Sequence, residues 1–111
     1  MKILLDECVT KRIRPYLQKH EVFTVTEKGW NGLFNGKLMT KCVEDGIDIL
    51  LTIDKNILFQ QNISKYNLCV VIFDSIDSKV SSLITFLPSF EHMLGSIEKG
   101  RLYLIEPPEK Q

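Results

Sequence analysis

The sequence predicts a three-layer α/β/α domain around a mostly parallel five-stranded sheet, and three observations carry that prediction. Short apolar runs rich in β-formers alternate with segments whose apolar residues recur at the helical period. The first run, Ile3-Leu4-Leu5, has the shape of a strand buried on both faces. The 111 residues, 44% hydrophobic and 25% charged, suit one core, with no repeat, linker or low-complexity segment. Residues 1–111 therefore read as a single domain, and strand–helix alternation requires right-handed crossovers between parallel strands.

The elements follow in order. After the first run, Val9, Ile13 and Leu17 form one apolar stripe at the helical period, with Pro15 set to kink or shorten that helix. Residues 22–25 (VFTV) predict a second strand. Residues 28–36 hold three glycines and two asparagines, together with Trp30 and Phe34, and predict a loop. Leu38, Met39, Cys42 and Val43 mark a second helix, with Gly46 as its stop. Residues 47–52 (IDILLT) predict the third strand, residues 57–62 a short helical turn, and residues 68–73 (LCVVIF) the fourth strand. Val80, Leu83, Ile84, Leu87 and Leu94 mark a longer helix interrupted by Pro88. Residues 102–105 predict the last strand, and Glu106-Pro107-Pro108 an extended tail.

Composition excludes several classes of function. Fourteen basic residues balance fourteen acidic ones, so the broad positive field of a non-specific nucleic-acid binder is absent, and any RNA contact must come from a local patch. No apolar run nears the ~20 residues that cross a bilayer, which excludes a membrane partner. Acids at positions 6 and 7 come too soon for a signal peptide. Cys8, Cys42 and Cys69 are scattered and odd in number, which argues against a disulfide framework or structural zinc and for a reducing, cytoplasmic setting. Each cysteine lies in an apolar stretch and reads as a small buried hydrophobe. His20 and His92 stand far apart, near no candidate partner, and read as surface or helix-end residues.

The chemistry-bearing residues cluster where an open parallel sheet places its ligands, beyond the carboxyl ends of the strands. Asp6 and Glu7 follow the first strand and Asp54 follows the third. If those strands are neighbours, as in the order 2-1-3-4-5, the carboxylates converge on one cation, which relieves their mutual repulsion. Hard oxygen donors suit magnesium or manganese. Asn56 offers an amide oxygen, and Thr52 a hydroxyl to orient Asp54 from behind. The alternative for each acid alone is a helix cap. Lys11, Arg12 and Arg14 after the acidic corner, Lys55 after Asp54, and Lys37 and Lys41 on the second helix would rim the site and grip a phosphate backbone; the competing reading is a solvated face. Trp30 and Phe34 are candidates for base stacking or for ordinary packing.

The segments Ile3-Leu4-Leu5-Asp6-Glu7-Cys8, Gly29-Trp30 with Asn35-Gly36, and Leu50-Leu51-Thr52-Ile53-Asp54-Lys55-Asn56 resemble the small PIN-like domains related to VapC-type toxin ribonucleases. The resemblance runs from Met1 to about Phe73 and weakens beyond it. It implies a magnesium- or manganese-dependent endoribonuclease, the toxin of a toxin–antitoxin pair, with RNA as substrate and a small antitoxin protein as partner. Asp6 would be the central ligand, Asp54 the second, and Glu7 and Asn56 accessory; a homodimer is a further expectation. One departure stands out. Relatives commonly carry an acid at the start of the second helix, where this chain has Lys37, and a positive charge there weakens cation binding. Glu27 or Glu44 would replace that acid only if brought inward. Two other readings compete: a catalytically impaired PIN-like module that binds RNA or a protein, and a receiver-like phosphoacceptor. The receiver pattern calls for a lysine after the last strand, where Glu106-Pro107 stands.

Overall fold

The computed structural model of the protein describes residues 1–33, 35–59 and 62–110. Five strands, β1 (Lys2–Leu5), β2 (Glu21–Thr24), β3 (Ile49–Thr52), β4 (Cys69–Phe73) and β5 (Leu102–Ile105), form one sheet in the order β2-β1-β3-β4-β5. Every pairing is parallel. The expected alternation is therefore present, and the sheet is wholly parallel.

Side-chain alternation along the three central strands divides the core in two. Ile3, Leu5, Ile49, Leu51, Cys69, Val71 and Phe73 face one side, under Ile13, Leu17, Leu83, Phe86 and Phe90. Leu4, Leu50, Val70 and Ile72 face the other, under Leu38, Met39 and Cys42. Helical segments thus cover both faces, an arrangement compatible with three layers. Phe73 anchors the first cluster, stacked on Phe86 at a centroid distance of 4.9 Å and edge-on to Phe90 at 5.7 Å.

The connections differ in detail from the expected helices. The Val9–Ile13–Leu17 stripe becomes a 3-10 helix, Lys11–Leu17, containing Pro15 and burying Ile13 and Leu17. A short helix that composition hid, α1 (Val25–Lys28), follows β2 directly and claims Val25. Its signal is a capping box: Thr24 Oγ1 accepts from the Glu27 N–H, and a Glu27 carboxylate oxygen accepts from the Thr24 N–H. Gly29 ends it at a φ of 74°, where a side chain would be strained. The second helix, α2 (Asn35–Glu44), buries Leu38, Met39 and Cys42 as expected and stops before Gly46.

The expected turn at 57–62 lies earlier, as a 3-10 segment Lys55–Phe59, and residues 60 and 61 fall outside the described residues. The long helix divides into α3 (Val80–Leu83), a 3-10 turn Ile84–Phe86 and α4 (Leu87–Met93). Pro88 sits in the first turn of α4 rather than in a helix interior, so its missing N–H costs no helical bond. The tail is not extended throughout: Pro108–Lys110 form a 3-10 turn. Among the described residues no helix is long and apolar enough to cross a membrane.

Candidate functional site

The register of β1 against β3 decides what stands beside Asp6. Leu5 pairs with Leu51, so the next residue, Asp6, is level with Thr52, while Asp54 lies two residues further on. Thr52 is fully buried, with 0% exposure, and its hydroxyl must therefore be satisfied inside the protein. It donates to Asp6 Oδ2 at 2.8 Å and accepts from the Asp54 N–H at 3.0 Å. The hydroxyl expected to orient the Asp54 carboxylate thus fixes the carboxylate of Asp6, and holds Asp54 only by its backbone.

Each acid is occupied by donors of its own. Asp6 Oδ1 accepts from the Glu7 N–H at 2.9 Å, and its backbone N–H donates to the Leu51 carbonyl. Glu7 Oε1 accepts from the Gly32 N–H at 2.8 Å, which ties the glycine-rich loop to the end of β1. Asp54 Oδ1 accepts from the Asn56 N–H at 2.9 Å, the geometry of a cap on the 3-10 segment that follows. Asn56 contributes its backbone N–H there. Among the described residues no group of three or more His, Cys, Asp and Glu side chains is arranged to hold a metal ion.

A cleft of about 360 Å³ opens instead on the β2 side of Asp6, lined by Asp6, Glu7, Thr10, Lys11, Thr26 and Glu27. Glu27 is thus brought to the cleft, but its Oε1 accepts from Arg14 Nη2 at 2.8 Å. That guanidinium, with the Thr24 backbone N–H, holds the Glu27 carboxyl below its ordinary range. Glu44 lines a different cavity, with Lys37 and Lys41. Phe34, a stacking candidate, lies outside the described residues. Trp30 is half-buried against the second core cluster, with the Lys28 ammonium 5.9 Å from its ring centroid.

The basic residues separate into paired and unpaired ones. Lys55 donates to Asp74 Oδ1 at 2.8 Å across the ends of β3 and β4, and Arg14 is taken by Glu27. Lys11 and Arg12 are exposed at the start of the 3-10 helix that follows Asp6. Among the described residues Lys11, Arg12, Lys37 and Lys41 form no ion pair. Asp74 was overlooked in the sequence, although VVIF-Asp repeats the strand-then-acid pattern of Ile3–Asp6.

The thiols and imidazoles also depart in part from expectation. All three cysteines are free; Cys42 and Cys69 are buried, but Cys8 is exposed, because it lies in the turn after β1 rather than in a strand. Its sulfur sits 3.4 Å from Thr52 Oγ1 and 3.8 Å from Asp6 Oδ2. Desolvation, aided by the Asp6 charge, raises its pKa. His92 is exposed, whereas His20 has a partner: its side chain is only 9% exposed, and Nε2 meets both Glu91 oxygens at 3.1 and 3.2 Å.

No family model, curated protein or solved structure matches this chain.

Proposed function

We propose that the protein is a PIN-like module that binds RNA without cutting it. The observation that carries this reading is the β1–β3 register, which seats Thr52 rather than Asp54 beside Asp6. A cation-assisted phosphodiesterase needs its carboxylates aimed at one ion with open positions for water and substrate. Here the acids are turned to hydroxyl and backbone donors, so no cleavage step is routed through a metal. The segments that resemble PIN-like domains support the family, and Lys37 in place of the usual acid agrees with a site that has given up cation binding. Lys11, Arg12, Lys37 and Lys41, which form no ion pair among the described residues, supply the local positive charge that a chain of zero net charge needs to hold phosphates.

The test is a gel-shift and cleavage experiment on one labelled single-stranded RNA, with chelator, magnesium or manganese. Retention of intact RNA in all three conditions is the expected result. Manganese-dependent fragments that vanish in Asp6→Asn would restore the endoribonuclease instead.

One observation favours a second reading. The order β2-β1-β3-β4-β5 is that of receiver-type doubly wound sheets, and Asp54 is exposed beyond β3. Against it, Glu106 follows β5 where a lysine is needed, and Lys55 reaches Asp74 from β3. A phosphoryl adduct on Asp54 after incubation with acetyl phosphate, released by hydroxylamine, would establish this alternative.

A further inference from the structure

Beside the acidic corner lies a larger cavity of about 730 Å³ between α2 and Tyr66. This is within the range of small-ligand pockets, roughly 300–1,000 Å³. Its basic wall is made by Lys37 and Lys41, one turn apart on α2, with Thr40 between them. Like charges at this spacing repel and destabilise a helix, and a bound anion removes that repulsion. Neither lysine has an acidic partner among the described residues, although Arg14, Lys28, Lys55, Lys99 and Arg101 each have one.

The remaining lining is of a different kind. Leu33 and Tyr66 supply apolar and aromatic surface, and Glu44 stands at the far end of the helix face. From Lys37 to Glu44 the helix rises about 10 Å at 1.5 Å per residue. The ring of Tyr66 is seated by close contact with the backbone of α2: a Cβ placed on Gly36 would lie 2.7 Å from the phenol oxygen. Only glycine at position 36 leaves the phenol where it is. A ligand that satisfies all these groups carries an anion for the lysines, a flat ring for Tyr66 and Leu33 and a hydrogen-bond donor for Glu44.

We infer that this cavity binds a nucleoside monophosphate unit, with its phosphate on Lys37 and Lys41, its ring against Tyr66 and Leu33, and an amino or hydroxyl group donating to Glu44. The choice of a nucleotide among phosphate-bearing aromatic compounds rests on the RNA-binding reading above. The cavity adjoins the acidic corner through Gly32, which lines it and donates its N–H to Glu7.

The experiment titrates the full chain, in chelator, with adenosine 5′-monophosphate, with adenosine and with inorganic phosphate. Trp30, the only tryptophan, and calorimetry report binding. Charge-assisted contacts predict that the monophosphate binds saturably and about tenfold or more tighter than either fragment. Lys37→Gln with Lys41→Gln should abolish that advantage while the variant still melts cooperatively, and Gly36→Ala should weaken binding by displacing the phenol. Equal affinities for all three compounds, or a monophosphate affinity unchanged in the double lysine variant, overturns the assignment. A labelled oligoadenylate separates the sources of the nucleotide. RNA retention lost together with monophosphate binding assigns the cavity to the strand; retention unchanged while monophosphate binding is lost assigns it to a free nucleotide. Monophosphate bound with no RNA retained overturns the RNA-binding reading and leaves the cavity assigned. RNA retained by both proteins with no monophosphate bound overturns the cavity alone.

Discussion

Thr52 shows how one buried hydroxyl can settle the character of a site. It joins the Asp6 carboxylate to the Asp54 backbone, and Thr52→Val keeps its shape while removing both hydrogen bonds. Leaving such groups unsatisfied costs about 1–3 kcal/mol, so the urea midpoint of the variant should fall accordingly; an unchanged midpoint would contradict the clamp. Cysteine accessibility is a second check at this scale. A thiol reagent should label the native protein once, at Cys8, and three times after unfolding, because Cys42 and Cys69 are buried. The positions of Asp6, Glu7 and Asp54 beyond the strands were legible from the pattern of apolar run and acid. That Thr52 rather than Asp54 is level with Asp6 was not, because register is invisible in composition and appears only once Leu5 is set against Leu51.

Among the elements, α1 is the clearest case of local chemistry prevailing over composition. Residues 28–36 read as loop because glycine and asparagine dominate there, yet the capping box and Gly29 close one helical turn just before it. Thr24→Ala should cost about 1 kcal/mol, measured as a lowered thermal midpoint, since it frees the Glu27 N–H and one arm of the box. An unchanged midpoint would mean that α1 is held by packing of Val25 alone. The helix α2 was legible in full on its buried face, where Leu38, Met39 and Cys42 keep the helical period. Its other face, with Lys37 and Lys41, reads in sequence either as a phosphate-gripping rim or as a solvated surface; only the fold brings Tyr66 opposite it. Within residues 80–93, the start of α4 beside Pro88 fits a proline that begins a helix more cheaply than it interrupts one.

For the molecule as a whole, strand order and parallel pairing were legible because short apolar runs alternating with helical stripes admit few topologies. The same two-sided core places thiols where they resist ionisation. Burial first, and then the charges of Asp6 and Asp45, pushes Cys42 up to about 12, and burial pushes Cys69 up to about 11, from an ordinary 9.0. The folded chain therefore holds these protons more tightly than the unfolded chain. Their contribution to stability is complete below 9.0 and is lost as pH rises from there through 11 and 12. Urea midpoints should fall over that interval, and fall less steeply when Cys42 and Cys69 are both replaced by alanine.

The proposed function depends most on Asp6, Glu7 and Asp54, which accept hydroxyl and backbone hydrogen bonds, holding no common cation. Manganese titration followed by electron paramagnetic resonance tests it most directly, because bound and free manganese give different signals. The account predicts the signal of free manganese undiminished by the protein, the same for the parent chain and for Asp6→Asn. Stoichiometric loss of that signal in the parent chain, recovered in Asp6→Asn, would contradict it.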